Sequence, residues 1–553
     1  MPMKLQPRMR RARVICQPAV RQGMQAGTAK LSKLLAPTFG PLPRTVIVSH
    51  LHERQRPEQL DGGGEIVRRI LQLADRTEDV GAMFLREALW HLHSQVGDGT
   101  TTAAILFQAV FDEGARYVAA GGSAMRLRTH LNRGLQVIID ELTGMCTDVE
   151  EDRHLSGLAR TLCHDEALAE MLGAILAESG EFGRLEIRQG NTDELRREQV
   201  EGMYWERGLM SRQMATDQRL LHTDLADTAV LISDLEINDV RQLMPPLALI
   251  INAGIRNLFI VAQRISDNVI GFLLANNSPA RFQAIAVTTP GTGLDQFGEL
   301  QDLAVVTGGR PFIKVAGDTF EHVRPQDLGR AGRMWADIHN FGVIDGGADP
   351  TAVQGHLFTL FEAFEKAEDP VLREKLRKRI ARLQGGSTTL WVGGRHADAI
   401  KARTELAERT VGLLREALMY GVVPGGGAAL LGCRPALRCL LAGSTEADEQ
   451  AAYRILLRAV EQPMLTIASN AGYDPHAVMA QVEQAGQGSS LDATAGQVVP
   501  MAEAGIFDVA TVLKSAVLSA VTSAALALTV DVIVQHRKPQ RAEVVAPTAP
   551  KRL

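Results

Sequence analysis

The sequence predicts a multidomain α+β protein in which helical chain ends flank an α/β centre. The chain has 553 residues, which at roughly 150 residues per domain corresponds to about three or four domains. Apolar residues make up 45% and charged residues 22%, the balance of a folded globular protein. Aromatic residues make up only 5%, and an apolar fraction that depends on Ala, Leu and Val favours a helix-rich core over a β-sandwich.

The N-terminal part alternates helical patterns with glycine-rich turns. A helix is predicted over 15–35, and a Gly-Pro turn then leads into a short β-branched strand at 38–48. A glycine-rich turn opens a helix at 61–70, the pattern is helical over 77–96, and a tight turn begins a long apolar helix over 97–121. Helical pattern continues to about residue 143.

The character of the sequence changes at about residue 181. Short β-like runs then alternate with helical segments, which predicts an α/β module. A charged amphipathic pattern predicts one helix over 362–384, a strand follows it, and from 395 the pattern is nearly all helical. We therefore expect the two chain ends to pack into one domain with the centre inserted. We expect the polar, proline-bearing tail after Gln535 to be disordered.

Composition argues against several classes of function. The net charge of −5 provides no overall basic surface, so we expect no nucleic-acid partner. The five cysteines are odd in number and contain no CxxC pair, which argues against a disulfide frame and favours a reducing compartment. The basic N-terminus lacks the apolar core of a secretory signal. The longest apolar run, Ser515–Val530, is shorter than the ~18–20 residues of a membrane span. We expect a cytoplasmic protein without a membrane partner, and a core helix at this run.

The strongest chemical motif is the turn Gly97-Asp98-Gly99-Thr100-Thr101-Thr102. Two glycines let the backbone approach an anion closely, and the first N–H groups of the helix that follows have no intrahelical partners. Together with the helix dipole, this arrangement favours phosphate, and Asp98 adds a hard oxygen ligand for Mg²⁺. A simple capping turn is the alternative, because Asp and Thr also cap helices.

Three further glycine turns are compatible with either a structural or a functional role. They are Thr38-Phe39-Gly40-Pro41, Asp61-Gly62-Gly63-Gly64 and Val423-Pro424-Gly425-Gly426-Gly427. Taken singly, each is better explained as a turn or a linker. Glycines in the third turn would also leave room for a base or a ribose.

Taken together and in order, the motifs resemble the sixty-kilodalton chaperonins, most closely the bacterial group I (GroEL-like) type. The matching segments are TFGP, GDGTTTAAIL, EGMYWERGLMS, the GG(x)₅VGG stretch from Gly385, VVPGGGAALL and AGIFDVATVLKSAVLSAV. The resemblance extends from about residue 20 to 535. It implies a helical equatorial domain (1–144 and 420–535), a small α/β intermediate domain (145–200 and 387–419), an α/β apical domain (201–386) and a tail at 536–553.

By position, the resemblance assigns ATP and Mg²⁺ to this chain. It places the phosphates on Thr38, Phe39, Gly40, Pro41, Gly99, Thr100, Thr101 and Thr102. Asp98 would bind both the nucleotide and Mg²⁺, Gly425 and Gly426 would face the ribose and base, and Asp508 would bind the ribose. The base-side segment at Leu491-Asp492-Ala493 matches only loosely, because an aromatic residue and an Asn are usual there.

The catalytic positions depart from the family pattern. The interval from Gly385 to Gly425 leaves no room for a gap, so the Asp that organises the attacking water in the family falls on Arg409. An Arg is always protonated and cannot act as a base, although it could approach the triphosphate as a charge clamp. Glu405, one turn earlier on the same face, and Glu408, adjacent but rotated by about 100° around the helix, are the nearest other carboxylates, and we do not assign the role to either. A second catalytic carboxylate maps to Asp61 if the glycine run contains an insertion, and otherwise to Gly62.

The family takes up substrate chains and a lid's mobile loop in an apolar apical groove. The corresponding positions are Leu209, Met214, Met244, Leu247, Ile270 and Leu274, together with Gln213 and Ala275. Most are apolar and Met suits promiscuous contacts, but core packing is the alternative. Leu209 and Gln213 occupy positions where the family pattern has aromatic residues.

Two functions from different classes remain. The first is an ATP-dependent folding chaperone that acts as a homo-oligomeric ring on non-native polypeptides, with a lid co-chaperonin as a possible partner. The alternative is a divergent paralogue that binds ATP but hydrolyses it poorly, and that acts as a holdase, a scaffold or a mixed-ring subunit. A metabolic kinase is disfavoured, because the sequence lacks the HRD and DFG motifs.

Overall fold

The computed structural model describes residues 13–535 except 43, 49–57, 61, 150–151, 164, 181, 191, 201, 220, 279–280 and 385–386. The chain divides into two compact units. The end unit combines Met1–Ala174 with Arg409–Leu553, and the central unit is Ile175–Glu408. The two chain ends thus form one body with the centre inserted, as the sequence predicts. The finer equatorial, intermediate and apical boundaries stay predictions, and the predicted tail at 536–553 lies outside the described residues.

Helices account for most of the described structure. They are α1 Ala19–Leu35, α2 Gly63–Arg69, α3 Arg76–Val96, α4 Thr100–Ala119, α5 Ala124–Gly144, α6 Asp152–Cys163, α7 Glu166–Ser179, α8 Val240–Asn252, α9 Asp267–Asn276, α10 Leu294–Thr307, α11 Pro350–Lys366, α12 Pro370–Leu383, α13 Ala397–Tyr420, α14 Ala428–Gly432, α15 Arg434–Gly443, α16 Ala447–Ala459, α17 Gln462–Asn470, α18 Pro475–Ala485 and α19 Ala510–Ala527. A 3₁₀ turn at Ala36–Thr38 follows α1 directly.

Strands of the end unit have 3 or 4 residues, whereas those of the central unit range from 2 to 11. They are β1 Arg13–Cys16, β2 Val46–Val48, β3 Glu58–Leu60, β4 Arg184–Gln189, β5 Arg196–Val200, β6 Met203–Trp205, β7 Thr223–Ser233, β8 Glu236–Ile237, β9 Asn257–Ala262, β10 Arg264–Ile265, β11 Gln283–Thr288, β12 Pro311–Phe312, β13 Gly329–Ala336, β14 Phe341–Gly346, β15 Ser387–Val392, β16 Val422–Pro424, β17 Ser489–Asp492, β18 Gln497–Pro500, β19 Phe507–Val509 and β20 Val532–Gln535.

The core of the end unit is a helical layer centred on α4 and α19. Phe107 and Phe111 of α4 are fully buried, and small residues on α19 such as Ala516 and Ala520 allow the two helices to approach closely. By length and composition α19 could cross a membrane, yet more than half of it is buried inside the fold. Its packing against α3, α4 and α5 is that of a core helix.

Small antiparallel pairs complete the end unit. β1 pairs with β20, β2 with β3, β16 with β19, and β17 with β18. The prediction of an almost entirely helical region after residue 395 was wrong at β16–β19. A two-strand ribbon forms at β17 and β18 because Gly496 adopts a φ of +71°, which closes a tight turn after Asp492.

The central unit contains a seven-stranded mixed sheet in the order β11-β9-β7-β13-β14-β6, with β12 paired to β7. Its strands β11, β9 and β7 run parallel, and the alternating α/β pattern of the sequence is confirmed here. A separate sheet has the order β4-β15-β5. The single helix predicted over 362–384 is instead two, α11 and α12. The break occurs because Pro370 starts a new helix, whose first turn is capped by Asp369.

A buried charge cluster fastens α10 to α11 and α12. Asp302 on α10 is fully buried; its carboxylate accepts hydrogen bonds from Arg379 at 2.8 and 2.6 Å, and His356 Nε2 lies 2.8 Å away. Glu299, one turn earlier, pairs with Arg382. Because charges without a partner are costly in a protein interior, this cluster fixes how these helices pack.

Candidate nucleotide-binding site

The phosphate turn, Gly97–Thr102, connects α3 to α4 in the end unit. Gly97 and Gly99 adopt φ values of +76° and +79°, a left-handed conformation that glycine takes without strain. A Cβ at Gly99 would also lie 3.0 Å from Val512 Cγ1. Gly99 is the N-cap of α4 and offers no capping side chain, so the first N–H groups of the helix stay available to a ligand. The geometry therefore goes beyond that of an ordinary capping turn.

The predicted TFGP segment lies beside the phosphate turn. Thr38 is buried, its hydroxyl donates to Leu35 O at 2.8 Å, and its Oγ1 lies 3.4 Å from Thr101 Oγ1. Asn470 Nδ2 donates to Ala36 O and to Phe39 O, both at 2.8 Å. These bonds hold the segment against the turn, although Thr38 and Thr101 are 63 residues apart in the chain.

The other residues of these two segments differ in exposure. Phe39 and Gly40 are half-buried, and Gly40 adopts a φ of +102°, whereas Pro41 is exposed. Thr100 and Thr101 are buried, and Thr102 is half-buried.

The triglycine run, Gly62–Gly64, forms the third wall of the site. A Cβ at Gly63 would lie 2.5 Å from Thr101 Oγ1 and 2.7 Å from Thr100 Oγ1. At Gly62 it would lie 3.1 Å from Arg409 Nη1, and at Gly64 it would overlap the His93 imidazole. Each glycine thus admits a different side chain, and its bare Cα lets these groups approach the backbone. Asp61, the predicted catalytic carboxylate, lies outside the described residues.

Two carboxylates lie close enough to interact electrostatically. Asp98 lies in the phosphate turn, and Asp508 lies on β19, paired across the ribbon with Val423 just before the Gly425–Gly427 turn. Burial, reinforced by the negative charge of Asp98, raises the pKa of Asp508 to about 7. A divalent cation beside the pair would offset this repulsion. The hard oxygen atoms of these carboxylates, with the threonine hydroxyls nearby, fit Mg²⁺ better than a soft metal.

The Gly425–Gly427 turn leads into α14 beside a cluster of apolar residues. Gly426 and Gly427 adopt φ values of +62° and +81°, and Gly425 N–H donates to Ile506 O at 2.9 Å. The Ser490 hydroxyl donates to Gly426 O at 2.7 Å. A cluster of apolar residues adjoins this turn and the TFGP segment; its members are Met464, Ile467, Ala468, Val478, Val482, Leu491 and Ala493, with Phe39 packed against them.

Arg409 and His93 add nitrogen groups to the site. Both residues are half-buried. Burial and the positive charge of Arg409 lower the pKa of His93, while Asp98 and Glu65 act in the opposite direction. Arg409 was predicted from the sequence, whereas His93 was not. The only signal in the sequence was its place one helical turn before Gly97, whose N–H donates to His93 O at 2.9 Å.

The predicted groove residues of the central unit divide into two sets. Met214 and Leu247 are buried at 2% and 6% exposure, which for these two supports the core-packing alternative. Met244 on α8 is 50% exposed; Leu209, Ile270 and Leu274 are half-buried, and Gln213 and Ala275 are exposed. Because α8 packs beside α9, Met244, Ile270 and Leu274 lie on neighbouring helices.

The architecture is similar to that of proteins with known structures. The structure is similar to crystal structures of the chaperonin gp146 from the bacteriophage EL 2 (Pseudomonas aeruginosa), obtained in the presence of ATP-BeFx. Crystal form I gives a TM-score of 0.67 and form II one of 0.60; in each case the identity is 18%, and the match covers 95% of this chain and 99% of gp146. The model of the TCP-1/cpn60 chaperonin family matches residues 31–538. The chain therefore belongs to the TCP-1/cpn60 chaperonin family.

Proposed function

We propose that this chain is an ATP-dependent protein-folding chaperone that binds Mg²⁺-ATP in its end unit. The observation that carries the proposal is the convergence of Thr38, Gly63 and Thr101, three positions from separate segments, around one turn. Amide groups, hydroxyls and a carboxylate on that turn form a phosphate site of the kind that helix N-termini provide. The crystallisation of gp146 in the presence of ATP-BeFx supports a nucleotide as the ligand.

Each segment has a distinct role in the proposal. The phosphate turn and Thr38 bind the phosphate oxygens, while Asp98 holds Mg²⁺, which neutralises charge on the triphosphate. Gly425 and Gly426 leave room for the ribose and base, with Asp508 on the ribose. The apolar cluster behind them offers a surface on which an aromatic base would lose little solvation.

Polypeptide capture is assigned to α8 and α9 of the central unit. Met244 is exposed although it is apolar, and an unbranched thioether adapts to many partners. Together with Leu209, Ile270 and Leu274 it would bind the apolar segments that a non-native chain exposes. We propose that the chain does this as a homo-oligomeric ring in the cytoplasm, with a lid co-chaperonin as a further partner.

The capture surface can be tested with a charge substitution and a matched control. Met244→Asp should weaken the suppression of aggregation of a chemically denatured soluble enzyme, measured by light scattering. Val315→Asp changes another strongly exposed apolar residue of the central unit and should leave the suppression unchanged. Equal suppression by the parent chain and Met244→Asp would remove α8 from the proposal.

Slow hydrolysis is the second candidate property, and Arg409 is the observation that favours it. Its guanidinium stands next to Gly62, where it can neutralise phosphate charge but cannot accept a proton. Tight ATP binding with steady-state turnover near background would contradict an ATP-driven folding cycle and support this candidate, a chain that acts as a holdase, a scaffold or a mixed-ring subunit. Arg409→Asp should then raise turnover, while a parent chain with rapid turnover would contradict this candidate.

Ring assembly has its own test. Negative-stain images of the purified full chain with and without ATP should show closed rings of one subunit type. A monomer by light scattering under both conditions would contradict the ring, while the nucleotide site and the capture surface would still be decided by their own tests.

A further inference from the structure

His93 lies in the last turn of α3, directly before the phosphate turn. Its half-buried imidazole rests on Gly64, the one residue type that leaves room for the ring there. The preceding residue, Gly63, carries the close contacts to Thr100 Oγ1 and Thr101 Oγ1. Three consecutive glycines thus contact the groups of interest: Gly62 lies beside Arg409, Gly63 beside the two hydroxyls and Gly64 beside the imidazole.

The charges around His93 come from every element packed against it. Arg409 on α13 disfavours the imidazolium ion, whereas Asp98 in the phosphate turn and Glu65 on α2 favour it. The Trp90 ring of α3 lies tilted against the imidazole at a centroid distance of 5.5 Å, and the Arg68 guanidinium lies over the Trp90 ring. Burial is the largest influence and lowers the pKa of His93, so near neutral pH the imidazole is uncharged and retains one nitrogen that can accept a hydrogen bond.

ATP hydrolysis requires a group that can orient a water molecule towards the γ-phosphorus. Arg409, at the position where the family pattern has a carboxylate, offers only donors. The neutral imidazole of His93, which lies against Gly64, has the missing acceptor.

Resting on the ATP site proposed above, we infer that His93 orients the attacking water in this chain, and that Arg409 neutralises the γ-phosphate. The water oxygen forms a bond to the γ-phosphorus. The bond from that phosphorus to the bridging oxygen breaks, and its electron pair leaves with ADP. The water proton passes to the imidazole nitrogen and then to the released phosphate, which regenerates the neutral ring.

The inference is tested on the purified full chain with three variants. His93→Ala should lower single-turnover hydrolysis by about 10²-fold, the usual effect of losing a positioned proton acceptor, with the ATP dissociation constant unchanged within about threefold. His93→Gln keeps an acceptor oxygen and should restore part of the rate. His91→Ala alters an exposed histidine on the same helix and should behave like the parent.

The pH profile separates an acceptor role from a structural one. Parent turnover should fall as the pH drops through the His93 pKa, below the ordinary histidine value of about 6.5. His93→Gln should lack this loss and keep only what protonation of Asp508, whose pKa is about 7, causes in both chains. Parental turnover in His93→Ala, or the same acid loss in His93→Gln, overturns the inference and leaves the ATP site intact. ATP binding by the parent without any turnover also overturns it. Failure of the parent to bind Mg²⁺-ATP overturns the site itself.

Discussion

Gly63 is the position where the smallest change should disturb the proposed phosphate site most. Gly63→Ala adds one methyl group 2.5 Å from Thr101 Oγ1 and 2.7 Å from Thr100 Oγ1. Ordinary contacts begin at 3.4 Å, so the hydroxyls must retreat by 0.9 Å (3.4 − 2.5) and 0.7 Å (3.4 − 2.7). Overpacking of this kind costs about 1–3 kcal/mol, and the helix propensity of Ala offsets little of it because Gly63 is the first residue of α2.

The effect on ligand binding should exceed the effect on stability. A hydrogen bond to a charged group contributes about 1.5–3 kcal/mol, and each 1.4 kcal/mol is about a tenfold change in affinity. Loss of one threonine hydroxyl from the phosphates should therefore weaken Mg²⁺-ATP binding by about 10- to 150-fold, while the midpoint of thermal unfolding falls by only the few degrees that the overpacking cost implies.

The assay is calorimetric titration of Mg²⁺-ATP into the variant and into a matched control. Gly355→Ala replaces an exposed glycine in the interior of α11, where a Cβ meets nothing within 4 Å. It should leave affinity unchanged and stabilise the chain slightly. A folded Gly63→Ala variant that binds with parental affinity would refute the placement of Thr100 and Thr101 on the phosphates.

Three further predictions follow from buried contacts. Asp302→Asn leaves its arginine partner without a counter-charge and should destabilise the helix cluster of the central unit by about 3–5 kcal/mol. The loss should appear as faster amide hydrogen exchange in α10–α12. The control Asp295→Asn breaks an exposed ion pair on α10 and should change the free energy of opening measured by exchange by less than about 1 kcal/mol. Asn470→Ala removes two hydrogen bonds to the TFGP segment, each worth about 1 kcal/mol, and should speed proteolysis at 36–42; unchanged cleavage would contradict this. Burial raises the pKa of the Cys433 thiol to about 12, so a thiol reagent at pH 8 should label exposed Cys439 and spare Cys433 until the chain unfolds.

The phosphate turn could be predicted because its chemistry is local. Gly97 and Gly99 adopt the left-handed conformations that a turn into a helix commonly requires, and the threonines follow within the same turn. The position of α19 in the core could also be predicted, because its apolar run between Lys514 and Asp531 is shorter than the ~18–20 residues of a membrane span. Both features depend on residues adjacent in the chain, where spacing alone carries the information.

Contacts between distant segments could not be predicted in the same way. Nothing in the sequence shows that Gly64 faces His93, because the two residues lie on different elements that meet only when α2 packs against α3. The same holds for Met214 and Leu247: their apolar character fits a groove and a core equally well, and burial decides between them. The break between α11 and α12 has a local cause, the start of a new helix at Pro370. The sequence pattern concealed it because charged residues repeat with helical periodicity on both sides of the proline.

Calorimetric titration of the full chain with ATP, with and without Mg²⁺, measures directly whether the end unit binds the nucleotide, with Asp98→Ala as the comparison. We expect saturable binding at one site per chain in the presence of Mg²⁺, and much weaker binding either without the cation or in Asp98→Ala. An unaltered, folded chain that shows no affinity for ATP with Mg²⁺ supplied would contradict it.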